Sequence, residues 1–241
     1  MSVQLDFATK EMTIKLVYYG PALSGKTTNL QALHAAASGD SKGRLMTLDT
    51  RDDRTLFFDL LPLSFEDASG LKVRLKVFTV PGQVIHSSTR RLVVQGADGV
   101  AFIADSRVAE TETNAESFVD LRDNLEAHGM LLGEMPLVIQ FNKRDLPAVR
   151  PKDEVAEMAQ AGREPVYLAI ATQGDGVVET FLALLYQTWK RLEKEHTLSE
   201  KFGFDGRAFI ANVAEKLGFQ GSIEDVLAHA VGATSLGEVG E

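Results

Sequence analysis

A chain of 241 residues, 44% hydrophobic and 24% charged, is long enough to bury a sizeable core, and it holds no apolar run near the ~20 residues that a membrane-spanning helix needs. A formal net charge of −9 argues against general affinity for nucleic acid or anionic lipid, and the absence of cysteine excludes a disulfide scaffold, thiolate zinc ligation, a thiol nucleophile and prenyl or palmitoyl attachment. The start of the chain lacks the pattern of a signal peptide, and Ser2 stands where myristoylation would require glycine, so the expectation is a cytoplasmic protein without a lipid anchor.

Residues 13–19 read as a strand and residues 28–36 as a helix with apolar positions at helical spacing. Between them, Gly20-Pro21-Ala22-Leu23-Ser24-Gly25-Lys26-Thr27 matches the phosphate-loop pattern GxxxxGK[ST]. A loop in that position turns backbone N–H groups and the positive end of the helix dipole toward an anion. Gly20 and Gly25 let the backbone approach the phosphates, Lys26 is expected to reach the β- and γ-phosphates, and the Thr27 hydroxyl to ligate Mg²⁺. Ala22, Leu23, Ser24 and Thr28 complete the expected phosphate-contacting set. The competing reading is a plain strand-to-helix turn; the strand and helix on either side weigh against it.

Further along, residues 54–61 form a candidate strand and residues 71–80 alternate apolar and polar with period two. The intervening 64–70 stretch reads as a turn, so these strands should pair as an antiparallel hairpin at one edge. Residues 99–105 and 136–142 are continuous apolar runs, as central strands require, and between them lies a helix carrying Phe118, Leu121 and Leu125. A last strand over 166–170 precedes a helix over 177–195, with Phe181, Leu184, Leu185, Trp189 and Leu192 on its core face. The predicted fold is α/β: a mostly parallel six-stranded sheet with an antiparallel edge hairpin and helices on both faces. Residues 1–195 make one domain. Residues 196–241 carry Phe209, Val213 and Leu217 at helical spacing and a second short helix starting at Ser222; this pair is too small for its own core, so it should dock on the domain or bind a partner.

Three later elements choose the chemistry. Asn142-Lys143-Arg144-Asp145 follows an apolar strand, the position of the guanine-specificity element NKxD. A carboxylate at Asp145 can accept from guanine N1–H and the 2-amino group, a donor pair adenine lacks. Lys143 would lay its stem along the base, Asn142 would tie this loop to the phosphate loop, and Ala171 and Thr172 stand where a second base-contacting loop belongs. In Val80-Pro81-Gly82-Gln83, the Gly82 N–H can meet a γ-phosphate and Gln83 can orient the attacking water. Arg54-Thr55 lies where a mobile loop could bring Thr55 to Mg²⁺ and γ-phosphate. The order of these elements is that of small GTPases.

On these motifs the chain resembles the MglA-type Ras-like small GTPases of bacterial gliding motility and cell polarity, over roughly residues 12–195. Tyr18-Tyr19-Gly20-Pro21, Gly25-Lys26-Thr27-Thr28-Asn29, Arg54-Thr55-Leu56-Phe57-Phe58-Asp59, Thr79-Val80-Pro81-Gly82-Gln83 and Asn142-Lys143-Arg144-Asp145-Leu146-Pro147 carry the likeness. It implies a Ras-like P-loop NTPase fold, Mg²⁺ and GTP or GDP as cofactors, and Thr79 in place of the Asp of other Ras-like proteins. Asp59 is then the candidate to supply a carboxylate near the metal. It also implies that Arg54 acts as an arginine finger from the same chain, beside Gln83 and Lys26, with a dimeric Roadblock-type, MglB-like activator, polarity or motility effectors, and recruitment to a cell pole. Two positions depart from the pattern. Ala22 replaces a glycine near the expected γ-phosphate, which predicts slow hydrolysis, and Ile85-His86-Ser87-Ser88 replaces an aromatic pair, which predicts different partners. The alternative function is a GTP-binding scaffold that hydrolyses negligibly; an ATPase or kinase is disfavoured by Asn142 to Asp145.

Overall fold

A strand covered by helices on both faces has no polar side to show, and the apolar runs accordingly form β2 (Glu11–Tyr19), β6 (Gly99–Asp105) and β7 (Leu137–Asn142) in the middle of one sheet. The computed structural model, which describes residues 4–6, 9–49, 57–67, 69–81 and 87–231, adds β5 (Lys72–Thr79) and β8 (Val166–Leu168) to this parallel core. Three antiparallel strands complete it: β1 (Gln4–Asp6), β3 (Met46–Asp49) and β4 (Phe57–Glu66). The order is β3-β4-β5-β2-β6-β7-β8, with β1 paired to β2.

The sheet thus has eight strands where the sequence suggests six. The additions, β1 and β3, span three and four residues, too few to show a period. β4 also continues past the predicted end at residue 61, through Pro62. Proline is tolerated there because the Pro62 carbonyl accepts from Gly43 N–H at 2.9 Å, on the side away from β5. A residue's N and O point to the same side of a strand, so the missing N–H costs β5 no ladder bond.

Helices α1 (Lys26–Ala36) and α5 (Val177–His196) cover one face over Leu16, Tyr18 and Val138. Helices α2 (Ser87–Val94), α3 (Thr111–Glu126) and α4 (Lys152–Ala161) cover the other over Val17, Tyr19, Val100 and Phe102. The predicted core face of α5 is buried at Phe181, Leu184, Leu185 and Leu192, yet Leu182, Ala183 and Tyr186 are buried too. The reason is a further layer: α6 (Leu198–Phe202), α7 (Gly206–Lys216) and α8 (Ile223–Val231) pack against α5, and Gln187 Nε2 donates to Ala230 O at 2.9 Å. Phe209 and Val213 of α7 join the same hydrophobic cluster as the sheet. Among the described residues no helix is long and apolar enough to cross a membrane.

Candidate nucleotide-binding site

The phosphate loop leaves β2 at Tyr19 and enters α1 at Lys26, at the carboxyl end of the parallel strands, where α/β sheets bind ligands. Two glycines are required by close approach. A Cβ on Gly20, at φ +144°, would lie 2.2 Å from Ile103 O, and one on Gly25, at φ +100°, would lie 2.1 Å from Asn142 Nδ2. Among the described residues no side chain caps α1, and its own first turn holds no acid, which favours an anion at its leading N–H groups. Ala22 and Leu23 are exposed, whereas Ser24 is fully buried. The Lys26 ammonium is nearly buried and donates to Gly20 O at 2.9 Å and Pro21 O at 2.6 Å. Burial, then the positive charges of Arg90 and Lys143, lower its pKa to about 7 against the opposing pull of Asp59.

Asp59 gathers three hydroxyls. Its Oδ2 accepts from Thr27 Oγ1 at 2.6 Å and Thr79 Oγ1 at 3.0 Å, and its Oδ1 from Thr47 Oγ1 at 2.8 Å. Strand pairing makes this convergence: Thr47 lies opposite Asp59 in the β3–β4 ladder, and Asp59 N–H donates to Thr79 Oγ1 at 2.9 Å across β4–β5. These groups line a cleft of ≈480 Å³ together with Lys26 and Thr28. One carboxylate with hydroxyls is an all-oxygen donor set, which suits a hard ion such as Mg²⁺, an ion that takes one or two carboxylates and completes its shell with phosphate and water. Among the described residues no cluster of three His, Cys, Asp or Glu offers a softer site.

Asn142 stitches the base loop to the phosphate loop. Its Nδ2 donates to Ser24 O at 2.8 Å and its Oδ1 accepts from Ala171 N–H at 3.0 Å, so one buried amide joins three loops. Lys143 sits in the left-handed region at φ +67° and its Nζ donates to Asp105 Oδ2 at 2.6 Å. Burial pushes Asp105 up, but hydrogen bonds from Arg107 and Lys143 outweigh it and hold the carboxyl at about 2. The Asp145 carboxylate and Thr172 are exposed beside this junction. The structure therefore brings together Gly20, Gly25, Lys26, Thr27, Asp59, Asn142 and Ala171. Arg54, Thr55, Gly82, Gln83, Ile85 and His86 lie outside the described residues.

Sequence reasoning missed Thr47, Asp105 and Arg107, and also Arg90 of α2. The last is nearly buried and paired with Asp120 of α3, Nε to Oδ2 at 3.2 Å, where Tyr19 OH also donates. Only the end of the apolar run over 99–105 carried any signal, a strand closing on a charge at Asp105.

A phosphate loop whose carbonyl is bonded by an Asn-Lys-x-Asp element, on this sheet order, places the chain in the class of Ras-like small GTPases. No protein-family model matches the chain. It is similar to the mutual gliding-motility protein MglA of Myxococcus xanthus (strain DK1622), with 43% identity over 190 residues, which is 79% of this chain and 97% of that protein. The chain belongs to the MglA family of small GTPases, and it binds guanine nucleotide and hydrolyses GTP.

Proposed function

We propose that this GTPase is a Mg²⁺-dependent switch controlling motility or polarity in the cytoplasm, with recruitment to a cell pole. Lys26 would contact the β- and γ-phosphates, the N–H groups of residues 22–28 would cradle them, and Thr27 with Asp59 and Thr55 would hold the metal. Bound there, Mg²⁺ supplies neutralisation of charge between the β- and γ-phosphates. Asp145 accepts from guanine, Lys143 flanks the ring, and Ala171 and Thr172 close its far side. Gln83 orients water for in-line attack on the γ-phosphate, while Arg54 and Lys26 offset the charge that develops. Loss of γ-phosphate contacts to Thr55 and Gly82 would release their loops and change the surface offered to partners, a Roadblock-type, MglB-like activating dimer and motility or polarity effectors.

The observation that carries this reading is the convergence of Thr27, Thr47 and Thr79 on Asp59 beside Lys26. Gliding motility is in the name of the Myxococcus relative, and its extension to this chain rests on that likeness. The test is nucleotide competition against a fluorescent GDP analogue. GTP is expected to compete at least about a hundredfold better than ATP, and Asp145→Asn to move preference from GTP toward xanthosine triphosphate, whose 2-oxo group accepts where guanine donates. Equal competition by ATP would defeat the reading.

A further inference from the structure

Asp105 ends β6 with only 3% of its side chain exposed, and it takes no part in the proposed metal site. A buried carboxylate must be paired, and Arg107 alone would suffice. Oδ1 accepts from Arg107 N–H at 3.1 Å and Arg107 Nε at 3.0 Å, and Oδ2 from Arg107 Nη2 at 2.8 Å. Yet a second cation is drawn in: Lys143 Nζ meets the same Oδ2 at 2.6 Å. The Asp105 backbone is itself locked to α3, with its N–H donating to Asn114 Oδ1 at 3.0 Å and its carbonyl accepting from Asn114 Nδ2 at 2.9 Å. On the other side, Lys143 occupies a left-handed backbone conformation that non-glycine residues adopt at a cost, and Arg144 N–H holds it by donating to Ala169 O at 3.1 Å.

We propose that Asp105, oriented by Arg107, is a positioning residue for nucleotide binding: it pins the Lys143 ammonium and so sets the lysine stem in place as the platform for the base. A lysine stem is flexible, and ordering it before the nucleotide arrives removes that entropy loss from the binding step. The pin bears on the ring face, whereas Asp145 reads the ring edge. Asp105 therefore governs affinity for any purine that lies on the stem and leaves the choice among ring edges untouched. This inference rests on the assignment of Asn142 to Asp145 to the base.

The test is a double-mutant cycle on the full chain, with Asp105→Asn, Lys143→Met and the pair, read as competition by GTP and by inosine triphosphate, which lacks the 2-amino group, against a fluorescent GDP analogue. Asp105→Asn is expected to weaken both triphosphates by about tenfold with their ratio unchanged, and to add nothing in the Lys143→Met background. Full additivity, unchanged affinity, or a shifted ratio would each overturn the proposal. Should Lys143→Met bind as the wild type, or should the coupling be absent, the pin fails while the assignment of the loop to the base stands; that assignment fails instead if Asp145→Asn leaves the preference for GTP unchanged. If Asp105→Asn fails to fold, Arg107→Gln at its half-exposed site frees Asp105 to turn, and is expected to weaken both triphosphates equally by a few fold; no loss there overturns the pin.

Discussion

Asp59→Asn keeps the shape of the side chain and removes its charge, at the one carboxylate lining the cleft among the described residues. Three hydroxyls donate to that carboxylate at 2.6, 2.8 and 3.0 Å. A hydrogen bond to an ionised group is worth about 1.5–3 kcal/mol and a neutral one about 0.5–1.5 kcal/mol, so each loses about 1 kcal/mol. With Thr27 and Thr47 both exposed and their shares discounted, the fold should lose about 1.5 kcal/mol, or roughly 3–6 °C in melting temperature for a chain of this size. The larger effect falls on the metal, which would lose its only protein carboxylate in the described part of the site. The assay is release of a fluorescent GDP analogue with Mg²⁺ and with EDTA. Wild-type release should accelerate on chelation by tenfold or more; the variant should release fast in both conditions. A variant whose release still responds to EDTA as the wild type does would refute the role of Asp59 at the metal.

Lys26 offers a pH test: with its pKa lowered to about 7 by burial and by Arg90, it is mostly neutral at pH 8, and nucleotide phosphates would restore its charge. Binding should thus take up a proton at pH 8 and none at pH 6, and affinity should fall as pH rises through 7; calorimetry in buffers of different ionisation enthalpy reads this, and equal uptake at both pH values contradicts it. Ala22→Gly should speed single-turnover GTP hydrolysis by removing a Cβ near the γ-phosphate, and a rate no faster than wild type ends that idea. Phe209→Ala empties a site 2% exposed and edge-on to Phe65 at 6.3 Å. It should cost about 3–5 kcal/mol, seen as one lowered melting transition; an unchanged main transition would mean that α7 contributes nothing to the sheet's stability.

The phosphate loop and the base loop were legible because their chemistry sits in contiguous residues: Gly25 and Lys26 are neighbours in sequence as in space, as are Asn142 and Asp145. Thr47 was not legible. Its place at Asp59 follows from strand register, which no short motif records, and β3 is too short to announce itself by alternation. Asp59 itself was found only through resemblance, since an aspartate in an apolar run reads equally as a solvent-facing strand position. The all-round burial of α5 was missed for a related reason: Leu182 and Tyr186 look like spare apolar residues until α7 and α8 cover them. The Asp105–Lys143 pin spans 38 positions, and only the parallel pairing of β6 with β7 brings its halves together.

Regulated hydrolysis at this site is measured directly by single-turnover release of phosphate from bound GTP, with Mg²⁺, with and without a Roadblock-type activator from the same cell. Slow release alone, accelerated by the activator and abolished in Arg54→Ala and Gln83→Leu, is the predicted result. GTP that persists uncleaved in both conditions, or release untouched by those two substitutions, would contradict it.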